Sequence, residues 1–403
     1  MSRKLDLRTG RPVWFAYRTP KIPTGALTRD IKTDVLIVGM GISGAMMAEA
    51  LTASGHDVVC IDRRGPMKGS TPATTALVQF EIDQPLIKLS KMIGRTRAEQ
   101  AWRRSRLAVQ NLGHRIDNLG IDCRAAPRQS LYLAGNVLAP GELREEAGLR
   151  RQAGIRADYL SPRPLAEQFG IERDGAVVCD GNIALDPRRL TAGLLNKALE
   201  RNARFFAPVE AGKISHSKDE VIVETKGGPT ITASQLVLAT GYELTDIVPQ
   251  ASHEVISTWA IATKPQPDRL WPGPAFIWEA SDPYLYMRAT SDGRVICGGE
   301  DEDFTDDDRR DALIADKTER ISQKLAKLFP RLDTTPEFAW AGSFGTTTTG
   351  LPYIGAIPQH PRIHAVMGYG GNGITFSQIA SEVVSSALEG LDDADAGLFA
   401  FNR

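Results

Sequence analysis

Apolar residues in this chain come in short blocks, and the first with a readable pattern is TDVLIVG at 33–39. A continuous apolar run of that length, closed by glycine, predicts a strand buried on both faces, as in a parallel sheet. GMGISG comes directly after it at 39–44, and AMMAEALTASG predicts a helix stopped at Gly55. HDVVCID then predicts a second buried strand. Strand, glycine turn, helix and strand together make a βαβ unit. Upstream, residues 1–32 mix basic residues, prolines and the aromatics Trp14, Phe15 and Tyr17 without a period, which leaves two readings, an arm packed on the body or a disordered segment.

Further along, an amphipathic helix is expected over about 95–120, a strand at 130–134 (SLYLA), a helix from 142 to Gly154, and a loop and helix around SPRPLAEQFG. DPRRLTAGLLNKALERNA carries a proline just inside its start, a helix-entry signal. KISHS, EVIVET and TITA read as strands, with a Gly-Gly turn between the last two, and QLVLATG at 235–241 as a further buried strand. The stretch 253–300 is mostly β, in EVISTWAIAT, AFIWEA, YLYMRAT and RVICGG. A helix at 310–328 comes next, then EFAWAGSFG, RIHAVMG, GYGGNG at 368–373 and a closing helix through ITFSQIASEVVSSALEG.

Composition narrows the class. At 403 residues with 42% hydrophobic content, the chain suffices for one large domain or two interlocked ones. Its 48 basic and 49 acidic residues give a formal net charge of −1, which argues for a small-molecule partner and against nucleic acid or an anionic membrane surface. Cys60, Cys123, Cys179 and Cys297 lack the spacing of a zinc site or a disulfide framework, so buried reduced thiols are expected. The histidines never show H-E-x-x-H, and the acidic run EDEDFTDDDRRD at 300–311 lacks the glycine and spacing of a calcium loop, so no metal is expected and the run reads as a solvated loop. The opening residues lack a signal peptide's apolar core and no run approaches membrane-spanning length, which implies a cytoplasmic protein without a membrane span. The oligomeric state stays open.

Two stretches fit G-x-G-x-x-G. GMGISG has the context of a dinucleotide site: it succeeds a predicted strand, opens a predicted helix, and Asp62 ends the next strand about 20 residues on. In such a site Gly39 makes the tight turn and Gly41 lets the backbone approach a pyrophosphate at the helix N-terminus. Gly44 permits close helix packing, and Asp62 accepts hydrogen bonds from a ribose. GYGGNG lacks that context. After its helix ends at Gly390 only LDDADAGLFAFNR remains, with no strand ending in an acid, so no adenosine is expected there. Its glycines still leave backbone N–H groups at the positive end of a helix, so two readings stand, a packing turn and a seat for an electron-rich group.

Five ordered features, TDVLIVGMGISG, VVCID, GSTPATTALV, QLVLATG and GYGGNGIT, resemble the FAD-dependent oxidoreductases related to D-amino-acid oxidase, glycine oxidase and sarcosine oxidase, and among them the γ-glutamylputrescine oxidase group. DGNIALDPRRL and GRVICGGED add to the resemblance, which covers about 33–390. It implies an α/β (α+β) fold with two interleaved domains after an N-terminal arm at 1–32. A Rossmann-like FAD-binding domain of glutathione-reductase type would come from 33–90, 181–250 and 336–403, and a mixed β-sheet substrate domain from 91–180 and 251–335. It also implies FAD, held noncovalently, because the cysteine through which some relatives attach flavin is missing from WAGSFGTTTTGLPYIG.

Carried onto this sequence, the resemblance implies cofactor contacts at Gly39, Met40, Gly41, Ile42, Ser43 and Gly44, and at Asp62, with Arg63 on the adenine side. Ser70 and Thr71 would reach the phosphates or ribityl chain, and Thr74, Thr75, Ala76, Leu77, Val78 and Gln79 would run beside the isoalloxazine. Val209 would meet adenine through its backbone, and Ala239, Thr240 and Gly241 the pyrophosphate, with Gly345 in the same set. Gly370, Gly371, Asn372, Gly373, Ile374 and Thr375 would set helix N–H groups against the flavin's pyrimidine carbonyl, where negative charge gathers on reduction.

The implied reaction is hydride transfer to FAD from the C–N bond of an amine or amino acid, giving an imine that hydrolyses, with oxygen or another acceptor taking the electrons. One departure bears on the substrate. Amino-acid-oxidising relatives commonly carry Arg-Pro after Trp-x-Gly, and here Ser343 and Phe344 stand there. Serine cannot supply an arginine's paired, charge-assisted hydrogen bonds to a carboxylate. Arg288 in YLYMRAT is either the substitute clamp or a surface salt bridge on a strand. Gln79, Tyr286 and Arg288 are the candidate catalytic residues, and Tyr284 and Trp340 are pocket walls or core. YLYMR holds no lysine of the kind that promotes reaction with oxygen in oxidase relatives. Three alternatives stand: a dehydrogenase of the same fold that passes electrons to a quinone or carrier protein, a flavin-binding subunit without independent turnover, and a plain NAD dehydrogenase.

Overall fold

A computed structural model describes residues 5–249 and 253–403; the expected boundary at 250/251 and the first four residues of the arm lie outside these. Val35, Leu36 and Ile37 are at most 1% exposed, as a strand covered on both faces requires. They form the middle of the strand Ile31–Val38, which pairs in parallel with Val58–Ile61 on one side and Thr230–Leu238 on the other. Arg204–Phe206 extends the parallel sheet beyond Val58–Ile61, and His360–Met367 extends it beyond Thr230–Leu238. Tyr353–Ile357 closes that edge antiparallel, and a hairpin of Ala211–His216 and Val221–Thr225 pairs with the start of Thr230–Leu238. TITA and QLVLATG, expected as two strands, are one. Gln235 pairs with Val35 and carries the ladder across the polar break.

The helix Ile42–Ala53 is buried almost all round, between Pro187–Glu200 and Gly373–Leu388. A helix with neighbours on both sides needs no polar stripe, which is why AMMAEALTA reads as nearly uniform. Its seat on the strand end depends on the absence of one side chain, because a Cβ on Gly44 would lie 1.9 Å from the Gly39 carbonyl oxygen. Pro187–Glu200 starts as expected: Pro187 occupies its first turn, and Asp186 accepts from the N–H groups of Arg188 at 2.9 Å and Arg189 at 3.1 Å.

The second sheet is mixed. Its strands run in the order Arg8–Gly10, Pro336–Thr347, His253–Thr263, Val295–Glu302, Leu285–Ala289, Phe276–Glu279, Ala126–Leu133, Ala176–Ala184, Leu77–Val78. Phe276–Glu279 and Ala126–Leu133 are parallel, and the other neighbours are antiparallel. The strands Leu77–Val78 and Pro336–Thr347, expected in the FAD-binding part, therefore pair in this sheet. The described arm packs on the same sheet. Arg8–Gly10 pairs with Pro336–Thr347, Trp14 is buried with its indole Nε1 donating to the Thr74 carbonyl at 2.6 Å, and the Tyr17 hydroxyl donates to Asp292 at 2.8 Å.

The helix expected at 310–328 is two, Asp307–Ala312 and Ile314–Leu328. Strands Ala157–Leu160, Ala176–Ala184 and Tyr353–Ile357 and the helix Leu86–Ile93 escaped the pattern reading, being short or, in the second case, interrupted by Asp180 and Gly181. Among the described residues no helix is long and apolar enough to cross a membrane. Replacing Gly44 with alanine forces the helix off its strand, and a loss of about 1–3 kcal/mol or more is expected. A lowered denaturant midpoint, with FAD present or absent, checks this.

Candidate functional site

Between the two sheets lies a cavity of about 860 Å³. That is near the upper end of the roughly 300–1,000 Å³ typical of ligand pockets. At the βαβ unit it is lined by Gly39, Gly41, Ile42 and Ser43, by Asp62, Arg63 and Val209, and by Ala239, Thr240 and Gly241. Gly41 leaves it open: a Cβ there would meet only the Thr71 hydroxyl, at 3.1 Å, and that hydroxyl accepts the Ile42 N–H at 3.0 Å. The helix behind points its positive pole at this gap. Asp62 accepts from the N–H groups of Met40 at 2.8 Å, Arg64 at 2.7 Å and Gly65 at 2.8 Å, which fixes the carboxylate at the strand end. Arg63 and Arg64 both pair with Glu243, Arg64 at 2.6 Å, so this wall is close to neutral. Met40 and Gly44 stand behind the wall, Met40 acting through its N–H on Asp62 and Gly44 through close packing.

Ser70, Thr71, Thr74, Thr75 and Leu77 line the next part. Ala76 does not; its backbone lies at φ 57° and its carbonyl accepts from Arg288 at 2.6 Å. Arg288 itself is a correction, being neither clamp nor surface ion pair. It is 4% exposed, lies outside the cavity wall, donates also to the Leu185 carbonyl at 3.0 Å, and has Trp14 of the arm over its guanidinium at 5.5 Å. Burial, with the Arg128 charge nearby, lowers its pKa to about 9. Its work is to hold the loop that carries Ala76.

The far part is built where the segment 79–83 docks on the N-terminus of the closing helix, Gly373–Leu388. The Thr375 hydroxyl donates to the Gln79 carbonyl at 2.8 Å, Asn372 Nδ2 to the Glu81 carbonyl at 2.6 Å, and the Gly371 N–H to Asp83 Oδ2 at 2.7 Å. Gln79, Glu81 and Asp83 thus all meet one glycine loop. Gly370, Gly371, Asn372, Gly373 and Ile374 line the cavity, while Thr375 is 1% exposed behind it. Gly345 also stands behind, its carbonyl accepting the Gly370 N–H at 2.8 Å. The expected donor set therefore narrows. The amides of Gly370 and Gly371 are engaged by protein, whereas Gly373, Ile374 and Thr375 open the helix, and a helix leaves its first N–H groups without an internal partner.

Facing this loop, Gln79, Tyr284, Tyr286, Trp340, Ser343 and Phe344 all line the cavity. Trp340 Nε1 donates to the Ala73 carbonyl at 2.8 Å, and the Tyr286 hydroxyl is 3.3 Å from Thr258 Oγ1. Burial, and the nearby Asp301 charge, push the Tyr284 and Tyr286 phenols far up, so both stay protonated donors. Ser343 accepts from Arg310 at 3.0 Å, but Arg310 is fully buried and paired with Asp307 at 3.1 Å and Asp311 at 2.8 Å. Pattern reading missed two acids in this wall, Asp83 and Asp301. Burial pushes Asp301 up to about 6, and its Oδ1 is buried without a hydrogen-bond partner. Asp83 opens into the cavity and is otherwise enclosed by protein; that enclosure raises its carboxyl, with the Gly371 N–H pulling it back. A signal for Asp301 existed, since the strand Val295–Glu302 runs through the acid. Asp83 had none, because its place is set by contact with a loop nearly 300 residues away.

One elongated ligand with a pyrophosphate, a ribose and an electron-rich ring fits these walls: a glycine-floored helix pole beside an acid-ended strand, and a second helix pole in the same cavity. The family of FAD dependent oxidoreductases termed DAO matches residues 34–387. The chain belongs to this family. It is thus an FAD-dependent oxidoreductase. The γ-glutamylputrescine oxidoreductase of Escherichia coli is 23% identical over 379 residues, spanning 91% of this chain and 86% of its own. The structure of glycine oxidase from Geobacillus kaustophilus superposes with a TM-score of 0.74 at 20% identity, over 92% of this chain and 99% of that one. L-proline dehydrogenase from P. horikoshii gives a TM-score of 0.77 at 18% identity, over 93% and 97%. At these identities the two structures speak for the fold.

A Gly41→Val variant separates binding from folding. Its Cβ presses only on the Thr71 hydroxyl, at 3.1 Å, and the rest enters the cavity, so stability should fall by about 1 kcal/mol. FAD retention should drop at least about tenfold, as the methyls fill the pyrophosphate's approach. Denaturant midpoint and flavin-to-protein absorbance ratio read the two; unchanged retention would remove Gly41 from the site.

Proposed function

We propose that the chain holds one noncovalent FAD along this cavity and oxidises the C–N bond of an amine or amino acid to an imine, which hydrolyses to a carbonyl compound and free amine. The observation that carries the reading is continuity: one cavity takes in both the glycine turn at 39–44 and the glycine loop at 368–373. A single FAD can therefore use both, with no second nucleotide. The relatives are named for γ-glutamylputrescine, glycine and L-proline, and each of these compounds contains a C–N bond open to oxidation. No cysteine lines the cavity and all four are free and buried, which supports an FAD without a cysteinyl link and suits the cytoplasm as location.

The dinucleotide end would be held by the first N–H groups of the helix Ile42–Ala53, by Ser70 and Thr71, and by Asp62 at the ribose. The ring end would meet Gly373, Ile374 and Thr375. When bound, the flavin supplies the two-electron acceptor. The chain's own contribution is charge and position. The pole of Gly373–Leu388 favours negative charge beside it by about 0.3–1 kcal/mol, more when enclosed. The Tyr284 and Tyr286 phenols donate hydrogen bonds, and Tyr132 and Trp278, stacked at 3.8 Å between centroids, give the cavity an apolar, water-excluding face. Gln79 and Tyr286 position the substrate, and no side chain is required as a proton-transferring base.

Anaerobic mixing of the yellow protein with amines and amino acids, and then admission of air, tests the reading. At least one compound should bleach the flavin. Peroxide on admitting air marks oxygen as acceptor, whereas reoxidation by a quinone or dye alone marks the dehydrogenase. A colourless protein that binds NAD, or a flavin that no compound bleaches, would overturn the proposal.

A further inference from the structure

We infer that the substrate of this site carries a second positive charge, apart from the oxidised C–N bond, and that Asp83 and Asp301 are its seat. This rests on the amine-oxidising function proposed for the site and deepens it to a substrate class, dicationic amines. The cavity wall near the redox end is unbalanced in charge. Glu279 is answered by Arg173 at 3.2 Å, and Glu302 by Lys317 at 2.7 Å and Arg309 at 3.2 Å. Asp83 and Asp301 have no ion-pair partner among the described residues, although both line the cavity. Lys88 is also in the lining, on the helix Leu86–Ile93. Lys317, the cation whose charge reaches Asp301, is buried and committed to Glu302 and to the Glu300 carbonyl at 2.9 Å.

A second observation is independent of the acids. Gln79 is 7% exposed, belongs to the same wall, and its Oε1 has no hydrogen-bond partner. Gln79 and Asp301 thus each keep one oxygen without a hydrogen-bond partner just beneath the cavity wall, and with Asp83 they make this wall acceptor-rich. An ammonium is three donors and no acceptor, so it satisfies such a surface, while a carboxylate would set acceptor against acceptor. The arginines that might have held a carboxylate here are spent, Arg288 on the carbonyls of Ala76 and Leu185, Arg310 on Asp307 and Asp311, and Arg309 on Glu302. The two acids also feel each other, since the Asp83 charge raises Asp301, and a cation between them relieves that repulsion. Tyr284 and Thr258 lie within hydrogen-bonding reach of Asp301 and fix its direction.

The test uses the FAD-loaded full chain and three compounds of matched chain length, 1,4-diaminobutane, 1-aminopentane and 4-aminobutanoate, which end as ammonium, methyl or carboxylate. Flavin bleaching is monitored anaerobically against concentration. The diamine should half-saturate at about tenfold lower concentration than 1-aminopentane, with 4-aminobutanoate the weakest. In Asp301→Asn and in Asp83→Asn the ratio of diamine to monoamine should collapse toward one, with the flavin-to-protein ratio showing that each variant has folded. Preference for the diamine should also fade in the wild type as pH drops through about 6, where Asp301 takes up its proton, and this limb should vanish in Asp301→Asn. Equal or better use of 4-aminobutanoate or α-amino acids, or a diamine preference that survives both substitutions, overturns the inference alone. No bleaching by any amine or amino acid overturns the proposed function beneath it as well.

Discussion

The latch between the segment 79–83 and the loop at 371–375 is the contact on which the rest of the site depends. It joins a piece of chain early in the sequence to the last helix through the Gln79 and Glu81 carbonyls and the Asp83 carboxylate. Beneath it the support is ionic and dry. Glu81 is fully buried, accepts from Ser130 and lies in the field of Arg150, which is itself buried against Glu146 at 2.8 Å. Glu146 also accepts the Leu86 and Ile87 N–H groups at 3.0 and 2.7 Å and so fixes the helix that continues the latch. Removing one partner of such a pair costs about 3–5 kcal/mol, because the other is left charged in a dry interior. The latch is therefore rigid where the cavity wall has to be.

Two opposite electrostatic demands meet at this latch. The helix pole must favour negative charge on a reduced flavin, and the substrate wall must favour positive charge on an amine. Asp83 serves both ends: it takes the Gly371 N–H at the edge of the pole and turns the rest of its carboxylate to the cavity, while the amides of Gly373, Ile374 and Thr375 stay with the helix start. Glycine at 371 is part of this division. A Cβ there would sit 2.9 Å from Asp83 Oδ1 and push the carboxylate away.

Local features of the fold were legible in the sequence and contact-determined ones were not. The βαβ unit could be read because a strand buried on both faces must be apolar throughout and its glycines act within a few residues of each other. GMGISG could be told from GYGGNG because it leads through a helix into an acid-ended strand, VVCID. Which of the GYGGNG amides the protein itself consumes depends on Asp83 and Gly345, far away in sequence. Arg288 alternates with Tyr284 and Tyr286, so strand periodicity puts it on their side. Trp14 of the arm covers it there, and no local pattern announces that. Asp301 stood in a run of acids whose solvated appearance is right for Asp303 and Asp308 and wrong for the acid at the strand's end.

The proposed function depends on one FAD touching both glycine motifs. Hydrogen–deuterium exchange of the FAD-free and FAD-loaded protein tests it most directly. Protection should rise together in peptides covering Gly39–Gly44 and Gly370–Thr375, with both complete at one FAD per chain. Protection confined to the first motif, or reaching the second only after a further equivalent, would contradict the account.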